Sequence, residues 1–464
     1  MVRTRAAISP TGYPHIGTIY QALFDYAFAK KNKGKFIVRI EDTDRERLVI
    51  DAESKVYSAL DWFGLIEDES PRKKGPHAPY RQSDRLAIYR KYAEELVEKG
   101  KAYYCFCSKE RLEAVRKKMQ LEKKIPMYDK HCRKIKDQRL KIKDRKPYVI
   151  RLKVPENQKI IIKDEIRGSI EFDSNEVDDQ ILLKSDGFPT YFLAVTVDDH
   201  LMKITHMVRG EEWLPSSPKI VLIYDFFGWK KPYFIHTPII RNPDKSKFSK
   251  RQGHTNISWY QEQGYLPEAI LNYLALMGWS HPEGKEIFSI KEFIKLFDFK
   301  DLKPVGPVFD LMKLGWMNGE YIRKLTISNF KFQISNFYKN RFPEDLLEKT
   351  LPLVQERVKK LSDYLPLCEF FFKKPEKYEI NLSSKKELLR NMVKVLSTVK
   401  QWKAEKIGEI MVKCAKKIGI KNSEFFMILR VAISGKKITP PLNESMEILG
   451  KEECILRLTF VIKI

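Results

Sequence analysis

The first forty residues constrain the fold of this chain more than any other segment does. Residues 3–8 are typical of a short buried strand, and residues 16–29 carry apolar side chains at the spacing of a helix. A second strand-like run follows a glycine at residues 36–40. A strand, a turn, a helix and a second strand in this order open a parallel α/β sheet, in which ligands bind at the carboxyl ends of the strands. We therefore expect a binding site at the turn formed by residues 9–18.

The remaining chain predicts a sheet that is interrupted in sequence and a carboxyl-terminal region built of helices. From about residue 81 the chain changes to a basic helical stretch and short alternating strands, as in an inserted α+β module. The α/β pattern resumes near residue 189, and beyond Trp259 nearly every segment has helical periodicity. One segment departs from this pattern, because the β-branched residues of 456–464 favour a strand.

The balance of charges points to a polyanionic partner. The 464 residues include 86 Lys and Arg against 61 Asp and Glu, a formal net charge of +25. Such an excess attracts nucleic acid, although lysines spread along the whole chain also fit a general lysine bias. The start of the chain lacks the apolar core of a signal peptide, and no run reaches the roughly 18 apolar residues that span a bilayer. We therefore expect a cytoplasmic protein.

Two short motifs, more than 200 residues apart, carry the predicted chemistry. The run PHIG at residues 14–17 stands where the first strand turns into the first helix, so the His15 imidazole and nearby backbone N–H groups face an anion. The run KFSKR at residues 247–251 lies in a basic loop, and two lysines beside a serine suit the charge of a transferring phosphate. Each motif alone has an ordinary structural explanation. Their order and spacing make the pair specific.

In this order and spacing the two motifs resemble the HIGH and KMSKS signatures of class I aminoacyl-tRNA synthetases. Seven further segments are similar to the bacterial-type glutamyl-tRNA synthetases. They are FIVRIEDTDR at 36–45, PTY at 189–191, VDDH at 197–200, RGEEW at 209–213, RNPD at 241–244, FDL at 309–311 and WMNG at 316–319. The resemblance is close over residues 1–325 and extends to the rest only in helical pattern and length.

This resemblance implies both the fold class and the domains. The expected fold is α/β, a class I synthetase Rossmann-type catalytic domain with an inserted α+β module, followed by an all-α carboxyl-terminal anticodon-binding region. The implied domains are the first half of the catalytic domain at 1–80, the inserted acceptor-end-binding module at 81–188, the second half of the catalytic domain at 189–240, the KMSKS loop and helical stem-contact region at 241–324, and the helical anticodon-binding region at 325–464.

The resemblance also implies a monomeric glutamate–tRNA ligase of protein synthesis. Such an enzyme activates L-glutamate with ATP and Mg²⁺ to glutamyl-adenylate, then transfers the glutamyl group to the 3′-terminal adenosine of tRNA(Glu). The first step needs no general base, because the α-carboxylate is already ionised and attacks the α-phosphorus directly. The implied catalytic residues are His15, Lys247 and Lys250. The implied ATP-binding residues are His15, Gly17, Glu212, Ile240, Lys247, Ser249 and Lys250.

Glutamate carries two carboxylates and an ammonium group, which call for guanidinium and acidic partners. The residues that the resemblance implies for glutamate binding are Arg5, Ala7, Ser9, Glu41, Tyr191 and Arg209. Arg5 and Arg209 are the expected carboxylate partners, and Glu41 suits the ammonium group. The sequence leaves open which arginine takes the side-chain carboxylate. It also leaves open a surface pairing of Glu41 with a neighbouring arginine.

Contacts with tRNA are implied for two parts of the chain. The basic insert at 81–188 would hold the acceptor end through its phosphates, and Arg357 aligns with an arginine that reads an anticodon base. Loading of glutamate onto tRNA(Gln) as well stays open.

Three rival interpretations fit less well. A shortened paralogue would lack the residues after 324, a glutaminyl enzyme would end in a β-barrel, and an inactive RNA-binding relative would have lost His15 or Lys250.

A cluster of cysteines raises the question of zinc. The run CFC at 105–107, followed by Cys132, resembles the zinc-binding insert of part of this family, whose fourth ligand is replaced here by Lys134. A structural zinc site needs four ligands, so the site is either lost, leaving three reduced thiols, or completed by His131 or Tyr128. The candidate ligands are Cys105, Cys107 and Cys132. The cysteines that stand singly in helical segments, and are expected to be reduced and buried, are Cys368, Cys414 and Cys454.

Overall fold

The computed structural model describes residues 1–135, 147–248 and 255–464, which form two compact units. The first unit comprises Met1–Trp259 and Ile270–Asp310, and the second comprises Tyr260–Ala269 and Leu311–Ile464. The helices of the first unit are Ile16–Lys31, Ala52–Trp62, Leu86–Glu98, Lys109–Leu121, Tyr191–Leu201, Ser217–Phe227 and Ile290–Leu296. The helices that contribute residues to both units are Ile257–Glu262 and Pro267–Gly278.

The strand, helix and strand predicted at the amino terminus are confirmed. Strand β1 (Arg3–Ile8) and strand β2 (Lys35–Ile40) pair in parallel, with Ile8 opposite Ile40 at their carboxyl ends. The helix Ile16–Lys31 connects them. Nearly every residue of both strands is buried, as expected for parallel strands that are covered on both faces.

A four-stranded sheet lies next to this pair. Its strands in spatial order are β6 (Gly168–Asp173), β5 (Lys159–Asp164), β9 (Tyr233–Thr237) and β8 (His206–Gly210). Strands β8 and β9 are parallel, and the residue before β8 bonds to β1. Thr205 N–H donates to the Arg3 carbonyl over 2.9 Å, and Arg3 N–H donates to Thr205 Oγ1 over 2.9 Å. The α/β sheet is therefore split in sequence but joined in space, as the sequence predicted.

A second sheet is formed within the inserted segment. Its antiparallel strands in spatial order are β3 (Ala102–Cys105), β4 (Val149–Leu152) and β7 (Ile181–Leu183). Strands β5 and β6 come from the same segment of the sequence but belong to the four-stranded sheet, where Asp164 pairs with Phe234. Buried apolar side chains such as Leu152, Leu193 and Ile220 form one core that includes strands and helices of both sheets. The inserted segment thus supplies an α+β module and also an edge of the four-stranded sheet.

The second unit is helical, which confirms the predicted fold class of the carboxyl-terminal region. Its remaining helices are Leu311–Arg323, Ile327–Phe337, Glu344–Val354, Tyr364–Phe372, Lys386–Ser397, Ala404–Ile418, Asn422–Ser434, Leu442–Leu449 and Lys451–Lys463. They pack around two apolar clusters. One cluster includes Phe330, Leu351 and Tyr364, and the other includes Met411 and Phe425.

Residues 456–463 are helical despite their strand-like composition, because they belong to the helix Lys451–Lys463. Cys454, Leu458 and Val461 recur at helical spacing and are buried in the second apolar cluster. Burial of one helical face outweighs the modest strand preference of β-branched residues. Nη1 of Arg457 on the same helix donates to the Ile433 carbonyl over 2.9 Å.

The isolated cysteines are free thiols within the described chain. Cys368 and Cys454 are buried free thiols, and Cys414 is a half-buried one. Within the described ranges, no helix combines the length and the apolar character that a membrane crossing requires.

Candidate active site

Two adjoining cavities open at the carboxyl ends of β1, β2 and β8 in the first unit. The larger cavity has a volume of about 760 Å³, and the smaller one has a volume of about 290 Å³. Ala7, Ser9 and Trp213 line both of them. The turn at residues 9–18 therefore lies in a wall that the two cavities share.

The site residues predicted from the sequence divide between these cavities. Those expected to bind glutamate all line the larger cavity and are Arg5, Ala7, Ser9, Glu41, Tyr191 and Arg209. Those expected to bind ATP that line the smaller cavity are His15, Gly17, Glu212, Ile240 and Lys247. Ser249 and Lys250 lie outside the described residues.

A buried ion network joins residues of the larger cavity. Asp199 accepts hydrogen bonds from Arg39 Nη1 over 2.6 Å and from Arg5 Nε over 3.1 Å. Arg39 Nη2 donates to Glu41 Oε1 over 2.7 Å. Burial alone would raise the pKa of Asp199, but Arg5 and Arg39 outweigh it and hold that pKa below its ordinary value. Arg5 and Glu41 are therefore already paired within the protein, and the pairing of Glu41 with Arg39 is buried rather than on the surface.

The Arg209 guanidinium is buried at the same cavity without an anionic partner among the described residues. The residue is 4% exposed, and within the described chain its Nε and Nη2 atoms have no hydrogen-bond partner. Its guanidinium carbon lies 5.2 Å from the ring centres of Tyr191 and Trp213, and these two rings stack at 4.8 Å. Burial lowers the pKa of Arg209. A buried cation with unused donors suits a carboxylate ligand.

His15 caps the first helix, and its ring lies over Gly17. The Nδ1 atom of His15 accepts the Gly17 N–H over 3.1 Å in the first turn of the helix Ile16–Lys31. A Cβ atom at position 17 would lie 2.9 Å from Cε1 and 3.0 Å from Nδ1 of His15. A side chain at position 17 would therefore displace the imidazole from its place over the helix start. The amino end of the helix lines the smaller cavity, where the helix dipole favours an anion.

Lys247 lines the smaller cavity together with Glu212. Its Nζ donates to Glu212 Oε1 over 3.1 Å, but the lysine side chain is 58% exposed, so this ion pair is weak. The Asn242 side chain donates to the Lys247 carbonyl over 3.3 Å, and the Phe248 ring stacks on Phe309 at 4.7 Å. The backbone of Lys247 is thus anchored, while its ammonium group exchanges partners easily.

Three residues of the site were assigned no role from the sequence. Trp213 and Asp199 stood in runs that carried the family resemblance, but their pairing with Tyr191 and with the arginines joins distant parts of the chain. Asp25 gave no signal, because it occupies an ordinary helical position. It is buried and lines the larger cavity, and burial raises its pKa well above the ordinary value.

The cysteine cluster is assembled in the inserted segment. The sulfur atoms of Cys105, Cys107 and Cys132 lie within 4.8 Å of one another. The Tyr128 hydroxyl lies 3.4 Å from Cys105 Sγ and 3.3 Å from Cys107 Sγ, and it accepts the Cys132 N–H over 2.9 Å. The Tyr128 hydroxyl is therefore a fourth polar group beside the thiols. Lys134, at the position of the family's fourth ligand, is the last residue of a short 3₁₀ helix.

Arg357 lies in the second unit and is exposed. Its Nη1 donates to the Thr439 carbonyl over 3.2 Å. The pKa of Arg430 is lowered mainly by burial and also by the nearby charge of Arg357. Within the described residues the Nε of Arg430 has no hydrogen-bond partner. Two neighbouring guanidinium groups with an unused donor suit a polyanion.

Comparisons with known proteins are consistent along the chain. The family model for the catalytic domain of class I tRNA synthetases (E and Q) matches residues 1–316, and the model for an anticodon binding domain matches residues 322–462. The chain is 43% identical over 98% of its length to a glutamate–tRNA ligase of Acidothermus cellulolyticus, and covers 94% of that protein. It is 44% identical over 97% of its length to one of Pseudomonas aeruginosa, and covers 93% of that protein.

A solved structure is similar over the same extent. It is the crystal structure of a glutamate tRNA ligase from Elizabethkingia meningosepticum in complex with its amino acid. That chain is 36% identical with a TM-score of 0.89, and the match covers 100% of this chain and 99% of the other.

The replacement Asp199→Asn tests the ion network. It removes the carboxylate that Arg5 and Arg39 share, and leaves two buried guanidinium groups without full compensation. We expect the free energy of unfolding of the first unit to fall by about 3–5 kcal/mol in urea titrations. Asp84→Asn, at a side chain that is 56% exposed, is the matched control. A loss no larger than that of the control would contradict the role given to Asp199.

Proposed function

Because the chain belongs to the glutamate–tRNA ligase family of class I aminoacyl-tRNA synthetases, we propose that its two cavities divide the substrates of the first reaction step. The larger cavity holds L-glutamate and the smaller one holds ATP. The observation that carries this proposal is the Arg209 guanidinium, buried with unused donors in the larger cavity. The enzyme is a glutamate–tRNA ligase, which activates glutamate with ATP and transfers it to tRNA for protein synthesis.

Arg209 takes the side-chain carboxylate of glutamate, and Arg5 has a supporting role. Arg5 is paired with Asp199, and its Nη1 donates to the Val208 carbonyl over 3.0 Å. Arg209 keeps Nε and Nη2 for a ligand. The α-carboxylate has to reach ATP in the adjoining cavity, and Arg209 lines the larger cavity but not the smaller one, so the side-chain end of glutamate goes to Arg209.

Glu41 and Tyr191 complete the glutamate site. Glu41 accepts from the substrate ammonium group while Arg39 holds its carboxylate through Oε1. Tyr191 stacks on Trp213, and both rings lie against Arg209. This aromatic pair orients the guanidinium before glutamate binds, which lowers the entropic cost of binding.

Activation is an in-line displacement in which the protein positions groups and compensates charge. A glutamate α-carboxylate oxygen attacks the α-phosphorus of ATP, the bond to the bridging oxygen breaks, and pyrophosphate leaves. His15 and the N–H groups at the start of the first helix hold phosphate oxygens. The Lys247 ammonium group exchanges its partner Glu212 for the phosphates. The family resemblance implies that Lys250 and Ser249 contribute to the same phosphate contacts. Mg²⁺ bound with ATP supplies further positive charge.

The second step transfers the glutamyl group to tRNA(Glu). The terminal ribose hydroxyl of tRNA(Glu) attacks the carbonyl carbon of glutamyl-adenylate, and AMP leaves. The basic insert at 81–188 holds the acceptor end. Arg357, with Arg430 beside it, contacts the anticodon, and this arginine favours tRNA(Glu) over tRNA(Gln). A monomer suffices, because one chain supplies every contact proposed for glutamate and ATP.

The cysteine cluster binds a structural zinc ion in this proposal. The three sulfur atoms are close enough for one ion, and the Tyr128 hydroxyl lies within reach of them. Thiolates are preferred zinc ligands, and a tetrahedral site needs a fourth one. Cys105, Cys107, Cys132 and Tyr128 would hold the ion, and Lys134 would take no part.

Replacing Arg209 tests the assignment of the larger cavity. Arg209→Gln removes the charge-assisted hydrogen bonds to the glutamate carboxylate, which are worth about 1.5–3 kcal/mol. We therefore expect the KM for glutamate to rise roughly 10- to 150-fold in ATP–pyrophosphate exchange with tRNA(Glu) present, while the KM for ATP changes little. Lys55→Gln, which also removes one positive charge, at an exposed residue of the helix Ala52–Trp62 outside the insert, is the control. An unchanged KM for glutamate would refute the assignment.

Replacing Lys250 tests the role of the second motif. We expect Lys250→Ala to slow glutamyl-adenylate formation by about 10²–10³, the usual effect of losing one group that stabilises a developing charge. Far-ultraviolet circular dichroism should be unchanged. Lys245→Ala, at an exposed lysine in the same loop, should keep most activity. Near-normal ATP–pyrophosphate exchange by Lys250→Ala would exclude it from catalysis.

Metal analysis tests the zinc site. We expect the enzyme purified from zinc-supplemented cells to contain about one zinc ion per chain, the content of one tetrahedral site. Cys107→Ser should lose the metal, and Tyr128→Phe should release it to a weaker chelator than the unmodified enzyme requires. Cys414→Ser, at a half-buried helical cysteine, should keep the full content. Full zinc content in Cys107→Ser would place the ion elsewhere.

A further inference from the structure

A buried arginine of the inserted module lies beside the cysteine cluster. Arg151 is in strand β4, directly opposite Tyr103 of the antiparallel strand β3. Because side chains of a strand alternate between its faces, Tyr103 and Cys105 share one face of β3, and Arg151 lies on that face. Its guanidinium carbon is 4.0 Å from the ring centre of Tyr128, whose hydroxyl lies 3.4 Å from Cys105 Sγ. The arginine therefore packs against one of the four groups of the proposed zinc site.

This arginine is a buried cation without a carboxylate partner among the described residues. Arg151 is 5% exposed, its Nη1 donates to the Asp179 carbonyl over 2.9 Å, and within the described chain its Nε has no hydrogen-bond partner. The Asp179 carboxylate is already engaged, since it accepts hydrogen bonds from Arg133 and from the Tyr103 hydroxyl. A buried guanidinium without a counter-ion is costly, so an anion is expected next to Arg151.

The cysteine cluster is such an anion only when it holds a metal ion. Three thiols and a phenol are neutral, and they leave the buried cation uncompensated. Zinc binds cysteine as thiolate, so its binding releases three thiol protons to the solvent. Three thiolates against the two positive charges of zinc leave one net negative charge, with the phenol still protonated. The single charge of the guanidinium matches that of the occupied site.

A second arginine contacts the cluster but adds no uncompensated charge. Arg111 Nη1 donates to Cys107 Sγ over 3.5 Å. The same guanidinium forms two hydrogen bonds with the Asp129 carboxylate, which neutralises it. The Arg111 side chain is also 33% exposed, so water screens its charge. The compensating cation is therefore Arg151.

We propose that Arg151 is a positioning residue of the zinc site, which neutralises the metal–thiolate group and thereby raises the affinity of the site for zinc. The inference rests on the proposed zinc site at Cys105, Cys107 and Cys132. Arg151 does not bind the metal itself, because a guanidinium has no acceptor lone pair. It holds the Tyr128 ring in place and lowers the electrostatic cost of gathering three thiolates.

Replacing Arg151 tests the role of its charge. Arg151→Met keeps a long unbranched side chain and removes the charge. We expect the dissociation constant for zinc, measured at neutral pH by competition with a chromogenic chelator, to rise about 10- to 100-fold, the usual effect of losing an outer partner of metal ligands. Arg151→Lys keeps the charge and should recover most of this loss. An unchanged dissociation constant in Arg151→Met would overturn the proposal.

The stability of the metal-free enzyme separates charge compensation from a purely structural role. Without zinc, Arg151 is a buried cation that nothing compensates, so Arg151→Met should unfold at about the same temperature as the unmodified metal-free enzyme. With zinc bound, the unmodified enzyme should gain more in its unfolding midpoint than the variant does. A metal-free variant that unfolds at a clearly lower temperature would make Arg151 a structural residue and contradict the proposal.

Cobalt(II) in place of zinc shows whether the ligands themselves are retained. Cobalt bound by cysteine thiolates absorbs light through sulfur-to-metal charge transfer, and the intensity follows the number of thiolates. At saturation, Arg151→Met should keep the intensity of the unmodified enzyme, whereas Cys107→Ser should lose the contribution of one thiolate. A weaker band in Arg151→Met would mean that a thiolate ligand is lost, and would refute a role through charge.

An exposed arginine of the same module provides the matched control. Arg116→Met removes one positive charge from the helix Lys109–Leu121 and should leave the affinity for zinc unchanged. An equal loss of affinity in Arg116→Met would assign the effect to the overall charge of the module and overturn the specific role of Arg151.

The metal content of Cys107→Ser separates this inference from the proposed zinc site. If the cluster does not bind zinc, Cys107→Ser and the unmodified enzyme hold the same amount of metal. If only the role of Arg151 is wrong, Cys107→Ser loses the metal and Arg151→Met binds it as tightly as the unmodified enzyme does.

Discussion

The active site depends on one buried carboxylate, Asp199, which accepts hydrogen bonds from both Arg5 and Arg39. Arg5 lies on β1, Arg39 on β2, and Asp199 on a helix about 160 residues further along the chain. Two guanidinium groups on neighbouring parallel strands would repel each other in a low dielectric without this partner. The ion network therefore holds the first two strands and the helix Tyr191–Leu201 in the arrangement that shapes the larger cavity.

On the proposed assignment, the distribution of buried charge also explains how the larger cavity selects glutamate. Arg5 and Arg39 have carboxylates of the protein as partners, and Arg209 has aromatic rings in place of one. A buried cation without a counter-ion is costly, and a ligand carboxylate relieves that cost on binding. Selectivity for an acidic side chain thus follows from a charge that the fold leaves uncompensated. A ligand with a neutral amide in place of the carboxylate would give the guanidinium hydrogen bonds but no neutralising charge.

Much of this site could be predicted from the sequence, because its elements follow from short-range periodicity and its residues from the spacing of two motifs. The first strand, turn and helix follow from periodicity, and the residues expected to bind glutamate do line one cavity. The roles of Asp199 and Trp213 could not be predicted, since each depends on a partner elsewhere in the chain. The strand-like composition of the last helix could not be interpreted from the sequence, because the partners of its buried face lie on other helices.

The contact between His15 and Gly17 has a consequence for the chemistry of the phosphates. While Nδ1 accepts the Gly17 N–H, the proton of the imidazole ring resides on Nε2. A second proton on the ring would occupy Nδ1 and displace the Gly17 N–H, so the helix would lose its cap. The fold therefore selects one neutral tautomer. In the proposed function, His15 therefore offers ATP a hydrogen-bond donor without a net charge, and the lysine-rich motif supplies the cations.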